Sequence, residues 1–165
     1  MSPILGQNAL EIFSRSAEQT RRIGMRLGGL LKTGTLICLR GDLGAGKTTL
    51  TQGLVAGWGS SDQVSSPTFV LVNAYRHPEG KKLYHLDAYR LSGPMEAFDL
   101  DLDTMLESGA MIVEWADRIQ EALPDEHLWV DMTWVDETRR EMRFSASGKA
   151  YQILLDTFQE RVYGV

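Results

Sequence analysis

A chain of 165 residues, 43% of them hydrophobic and 24% charged, has the size and balance of one folded domain with a buried core. No apolar run approaches the roughly 20 residues that a membrane-spanning helix needs, and MSPILGQNALEIF lacks the basic-then-apolar order of a secretory leader. A cytoplasmic protein without a membrane partner is expected. The net charge of −5 argues against whole-surface attraction to nucleic acid, one cysteine excludes an internal disulfide, and three histidines without a Cys/His cluster give zinc no support.

Taken in chain order, Ser16 followed by Gln19 resembles a capping box that opens a helix. Ala17, Ile23, Leu27, Leu30 and Leu31 supply its apolar stripe, and Gly34 is expected to end it. The basic run Arg15, Arg21, Arg22, Arg26 and Lys32 reads as a solvated helix face, with a docking role as the sharper alternative. TLICLR (35–40) is nearly continuous in apolar residues, as a central strand covered on both faces requires. Cys38 within it reads as a small core residue rather than a reactive thiol. A glycine loop follows, and KTTLTQGLVAGWG predicts a helix closing at Gly57 or Gly59.

SSDQVSSPTF (60–69) is polar and turn-rich, a loop. FVLVNAYR and KLYHLDAYR flank HPEGK, whose Pro78 and Gly80 mark a turn, so residues 69–87 predict an antiparallel hairpin. GPMEAFDLDLDTMLES reads as a helix with an irregular lead-in, and GAMIVEWADRI as a short buried strand, Met111–Val113, ending in Glu114. HLWVDMTWV and REMRFSAS alternate as a second hairpin. AYQILLDTFQERV closes the chain as an amphipathic helix, about 150–163, bearing Tyr151, Leu154, Leu155, Phe158 and Val162 on one face. With no repeat or linker, the expected fold is a single α/β domain over 1–165 with a mixed parallel/antiparallel central sheet.

The chemistry begins at Gly41-Asp42-Leu43-Gly44-Ala45-Gly46-Lys47-Thr48, which satisfies G-x-x-x-x-G-K-[ST] between a strand and a helix. Glycines let backbone N–H groups approach phosphate oxygens, and the following helix turns its positive end to the same anion. Residues 42–49, through Thr49, are therefore the candidate nucleotide-binding stretch. Lys47 is the cation for the β- and γ-phosphates, and the Thr48 hydroxyl suits Mg²⁺. The RGD tripeptide at 40–42 is a coincidence within this loop.

Such a loop needs a carboxylate at a neighbouring strand end. Asp87, after LYHLD, and Glu114, after MIVE, both qualify; one could organise Mg²⁺ and the other a second metal water or the attacking water. From the residues alone their division of roles stays open, as does the bland reading that one is merely a polar strand end. Thr68, in SSPTF, offers a hydroxyl where a γ-phosphate sensor could sit, although such clusters are common in ordinary turns. Trp115 reads as core, with a stacking surface as the alternative. No N-K-x-D is present, which favours ATP over GTP.

Together GDLGAGKTT, SPTF, YHLDAYRL and VEWADR, in this order, resemble the bacterial YjeE/TsaE family over about residues 16–145. The resemblance implies a single-domain, three-layer fold of the P-loop NTPase type. It also implies an Mg²⁺-dependent ATPase, weak alone, that docks on the TsaB–TsaD heterodimer. That complex forms threonylcarbamoyladenosine beside the tRNA anticodon, and this chain would meet tRNA only indirectly. The roles implied are phosphate and Mg²⁺ binding for Lys47 and Thr48, and a switch for Thr68. Asp87 becomes the metal-linked acid, Glu114 the organiser of metal and water, and Trp115 a nucleotide or partner surface. Asp101 stands where the family usually has glycine. Two other readings remain: a P-loop small-molecule kinase, for which no acceptor lid is evident, and a nucleotide-gated binding module with incidental hydrolysis.

Overall fold

The computed structural model describes residues 8–64 and 72–164. Its first strand, β1 (Ala9–Ser14), buries Leu10 and Ile12 and turns Glu11 and Phe13 outward. No strand is predicted there from the sequence; it joins the sheet through β7, 126 or more residues downstream, a pairing that local pattern does not announce.

Helix α1 (Ala17–Gly28) opens where expected: the Ser16 hydroxyl accepts the Gln19 N–H at 3.0 Å. The reciprocal bond departs from the capping box, because Gln19 Oε1 takes the N–H of Arg15 rather than that of Ser16. The helix also ends earlier than Gly34. Gly29 caps it, Leu30 and Leu31 continue as tight turns, and Gly34, at φ 91°, serves the turn into β2 (Leu36–Arg40) instead. Helix α2 (Lys47–Trp58) closes at Gly59, one of the two glycines expected. Backbones of α1 and α2 touch: a Cβ on Gly28 would stand 2.2 Å from Leu54 O, and one on Gly57 2.0 Å from Met25 O.

The first hairpin forms from β3 (Val72–Arg76) and β4 (Lys82–Asp87). The acidic stretch after it is two short helices, α3 (Pro94–Phe98) and α4 (Leu102–Ser108), rather than one. Asp101 breaks them at φ 55° and ψ 59°, the left-handed region that glycine enters without cost and that Asp tolerates better than most residues. Then come β5 (Gly109–Glu114), a 3-10 turn (Ala116–Ala122), the second hairpin β6 (His127–Trp134) and β7 (Arg140–Ser147), and α5 (Lys149–Tyr163).

These strands make one mixed seven-stranded sheet in the order β1-β7-β6-β2-β5-β4-β3. Strands β6, β2, β5 and β4 run parallel; β7 and β3 flank them in the opposite sense, and β1 pairs antiparallel with β7 at the edge. One face is covered by α1, α2 and α5, around Leu27, Leu50, Leu54, Phe144 and Phe158. The other is covered by α3, α4 and the 3-10 turn, around Cys38, Val113, Ala97, Leu102 and Ile119. This is the three-layer α/β arrangement expected. Helix α5 is part of the frame: Tyr151 Oη accepts the Leu36 N–H at 2.8 Å and donates to Gly34 O at 3.3 Å, pinning the start of β2. Among the described residues no helix is long and apolar enough to cross a membrane.

Parallel pairing sets the carboxyl ends of the four central strands along one edge. Leu39 of β2 pairs with Glu114 of β5, and Glu114 pairs with Asp87 of β4. The loop after β2 therefore emerges beside both acids.

Candidate active site

Residues 41–46 turn the chain from β2 into α2. Gly44 (φ 84°) and Gly46 (φ 101°) hold left-handed conformations that a side chain would strain. Gly46 is also the N-cap of α2 and brings no side-chain cap, so the first N–H groups of the helix face the loop cavity ready for an anion. Ala45 is fully buried and anchors the loop, whereas Leu43 projects from its rim.

Lys47 is buried at 6% exposure. Its ammonium donates to Gly41 O and to Asp42 O, the latter at 2.9 Å, and lies 4.4 Å from the centre of the Trp115 ring. Burial pulls its pKa below the usual lysine value; Glu114, Asp42, Asp87 and Asp117 pull it back up. Trp115 holds φ 57° and ψ 39°, a costly conformation for a bulky residue, and its ring lies 4.9 Å from that of Tyr89. Strain of this kind, next to the loop, aims the indole at the lysine.

The two acids differ in setting. Asp87 is half-buried, and its Oδ1 accepts the Tyr89 N–H at 3.0 Å, capping a short turn. Glu114 is 3% exposed, and its Oε2 lies 2.5 Å from His85 Nε2. His85 Nδ1 in turn lies 2.8 Å from the Tyr75 hydroxyl. With the ring neutral, Nε2–H donates to the carboxylate and Nδ1 accepts from tyrosine.

One cavity of about 410 Å³ gathers Leu43, Gly44, Gly46, Lys47, Thr48, Thr49, Asp87, Glu114 and Trp115, together with Tyr89 and Arg140. Asp42 turns to a neighbouring cavity, and Ala45 sits beneath the loop. Thr68, with the whole of SPTF, lies outside the described residues. Among the described residues no group of three His, Cys, Asp or Glu could cage a metal. One hydroxyl and two carboxylates beside an anion cradle are instead the donor set of an Mg²⁺ ion held mainly by phosphate and water, and the residues fit that ion.

Sequence reading missed four contributors. His85 and Asp87 lie two apart on β4, so a polar residue on the site-facing side of that strand was a usable signal for His85. Tyr75 reaches it only through the antiparallel pairing of β3 with β4. Tyr89 lies in AYR, where nothing in the local pattern points to the cavity that it lines. Arg140, from β7, donates through Nε to Gly44 O at 2.9 Å and has no local signal at all.

The family model described as "Threonylcarbamoyl adenosine biosynthesis protein TsaE" matches residues 14–142. A tRNA threonylcarbamoyladenosine biosynthesis protein TsaE from Bacillus subtilis is 39% identical over 141 residues, covering 84% of this chain and 87% of that protein. A protein of the same description from Streptomyces coelicolor is 47% identical over 112 residues, covering 66% of this chain and 74% of its own. The crystal structure of YdiB from Bacillus subtilis superposes with a TM-score of 0.77 at 31% identity, over 98% of each chain. The loop, the paired acids and the strand order thus sit in a chain that belongs to the TsaE family.

Proposed function

We propose that this protein is an Mg²⁺-dependent ATPase. It would bind and hydrolyse ATP to sustain repeated turnover of the machinery that installs threonylcarbamoyl on the adenosine next to the tRNA anticodon. The relatives' names point to that pathway. Its direct partner would be the TsaB–TsaD heterodimer, and tRNA would be met only through that complex.

The observation that supports the reading most is the register that sets Asp87 beside Glu114 at the edge where the glycine loop emerges. Backbone N–H groups of the loop and of the first turn of α2 would bind the phosphates. Lys47 would exchange its contacts with Gly41 O and Asp42 O for phosphate oxygens, which as anions are the stronger acceptors. Mg²⁺, when bound, supplies charge neutralisation across the phosphate oxygens. Thr48 and Asp87 would hold it, directly or through water. Glu114, fixed through one oxygen by His85, would use the other to orient the attacking water, an arrangement that gives the two acids different duties. Thr68 would sense the γ-phosphate, and Trp115 would report the state of Lys47 through their contact.

Two variants test the reading. Lys47→Ala should lose ATP binding in a calorimetric titration. Glu114→Ala should bind ATP and fail to release phosphate from it. Normal repeated turnover by Glu114→Ala would instead establish a nucleotide-gated module in which hydrolysis is incidental, and phosphate appearing on an acceptor other than water would establish a kinase.

A further inference from the structure

Beside the phosphate site a second cavity, of about 440 Å³, opens at the carboxyl ends of β2 and β6. Trp115 alone lines both cavities. Trp134, which is 50% exposed, also lines the second. Around these two indoles lie Arg40 and three carboxylates, Asp42, Asp117 and Asp131. Arg40 is already neutralised, 3.4 Å from Asp131. Asp131 is further engaged by the Trp129 indole N–H at 3.1 Å. Asp42 and Asp117 make no ion pair among the described residues. Trp134 has no part in the nucleotide chemistry described above, and Asp117 touches it only through its charge on Lys47.

The half-exposed Trp134 indole, with Trp115 and the carboxylates of Asp42 and Asp117, which make no ion pair among the described residues, gives the cavity groups that suit a planar cation. A guanidinium can stack on an indole while donating in parallel to a carboxylate; a compact ammonium can do the first and only one bond of the second. Next to Trp134 in the chain, Val135 is itself 41% exposed, so the apolar surface continues past the cavity. Tryptophan and arginine are the side chains most often found as anchors at the centre of a protein interface.

From this geometry we infer that the cavity receives an arginine side chain presented by a partner protein. The inference deepens the proposed function, on which it rests only for the identity of that partner. The Trp115 ring also carries the Lys47 ammonium, so a docked arginine touches the residue that contacts the phosphate-loop lysine. Docking and nucleotide state would then share one side chain.

The probe is N-acetyl-arginine amide, titrated into the full chain while the indole N–H signals are followed by NMR. The Trp134 and Trp115 signals should shift saturably, and N-acetyl-citrulline amide, which has the same shape without the charge, should leave them in place. Asp117→Asn should weaken the probe about fivefold and Trp134→Ala about tenfold. Both variants should keep the wild-type melting temperature, and Trp134→Ala should also keep the wild-type ATP affinity. Trp134→Ala should also weaken binding to the TsaB–TsaD heterodimer at least tenfold. Absence of saturation, an equal response to citrulline, or insensitivity to Asp117→Asn would each overturn the cavity's assignment. Unchanged heterodimer affinity in Trp134→Ala would overturn its docking role. A chain that binds the probe and ignores the heterodimer would keep the arginine cavity and refute the partner named above. The probe titration uses no nucleotide, so failure of the ATPase reading leaves this result standing.

Discussion

His85 Nε2 stands 2.5 Å from Glu114 Oε2, with both side chains buried and the far nitrogen of the ring 2.8 Å from the Tyr75 hydroxyl. Two strands are needed for the pair: β4 carries His85 and β5 carries Glu114, paired in parallel. A carboxylate at this depth needs a partner, and this one also fixes which oxygen is left for the cavity. Replacement His85→Leu leaves the acid unpaired and should destabilise the fold by about 3 kcal/mol. Phosphate release should fall by roughly 10- to 100-fold. His85→Gln, which keeps an N–H donor, should recover much of both losses. Tyr75→Phe should cost only about 1 kcal/mol. Denaturant unfolding and phosphate release on the four proteins check this, and wild-type hydrolysis by His85→Leu would remove the pair from the mechanism.

Arg140 braces the phosphate loop from the opposite hairpin. Its Nε donates to Gly44 O at 2.9 Å, and its Nη1 donates to Asp136 O at 2.6 Å and to Arg139 O at 2.9 Å. Arg140→Ala should weaken ATP binding about tenfold with little change in melting temperature, as read by calorimetry. A wild-type affinity would mean that the loop keeps its shape unaided.

The turn behind Arg140 carries its own pH signature. Backbone N–H groups of Thr138 and then Arg139, together with the Arg139 guanidinium, stabilise the Asp136 carboxylate and lower its pKa from 3.8 to about 2. A depressed carboxylate stabilises the folded state above its unfolded pKa, and that contribution disappears as pH falls through the folded value. Turn stability should therefore be intact at pH 4 and above and lost toward pH 2. NMR titration of the Asp136 carboxyl carbon gives the value directly. A midpoint near 3.8 would contradict the capped turn.

Much of the fold was legible because it is written locally. GDLGAGKTT between an apolar strand and a helix, the turn at Pro78 and Gly80, and Glu114 closing an apolar run each declare themselves within about ten residues. Contacts across the sheet were not legible. The register that sets Asp87 against Glu114, the reach of Arg140 to Gly44, and the pairing of β1 with β7 join segments far apart in the chain, and no single window contains them. The early end of α1 was missed for a subtler reason. Gly29 and Gly34 both look like stops, and the helix ends at the first.

The backbone contact between α1 and α2 gives a stability prediction. A methyl on Gly57 would meet Met25 O at 2.0 Å, and backbone cannot swing aside as a side chain can. Gly57→Ala should destabilise the protein by about 1–3 kcal/mol, despite the better helix propensity of alanine. Urea unfolding decides it; a stabilised variant would show that the two helices can part.

Cys38 is fully buried in β2, and burial pushes its thiol far above the usual range. The folded protein should resist a thiol reagent such as Ellman's at pH 8 and react fully once denatured. Fast labelling of the native chain would contradict a close-packed central strand.

The account's central claim is that the glycine loop, Asp87 and Glu114 form a partner-dependent ATPase. The direct measurement is phosphate release from Mg²⁺-ATP by the wild-type chain, alone and with the TsaB–TsaD heterodimer and tRNA. Slow release alone and a clear increase with the partners is the predicted result. A rate that the partners leave unchanged would contradict it.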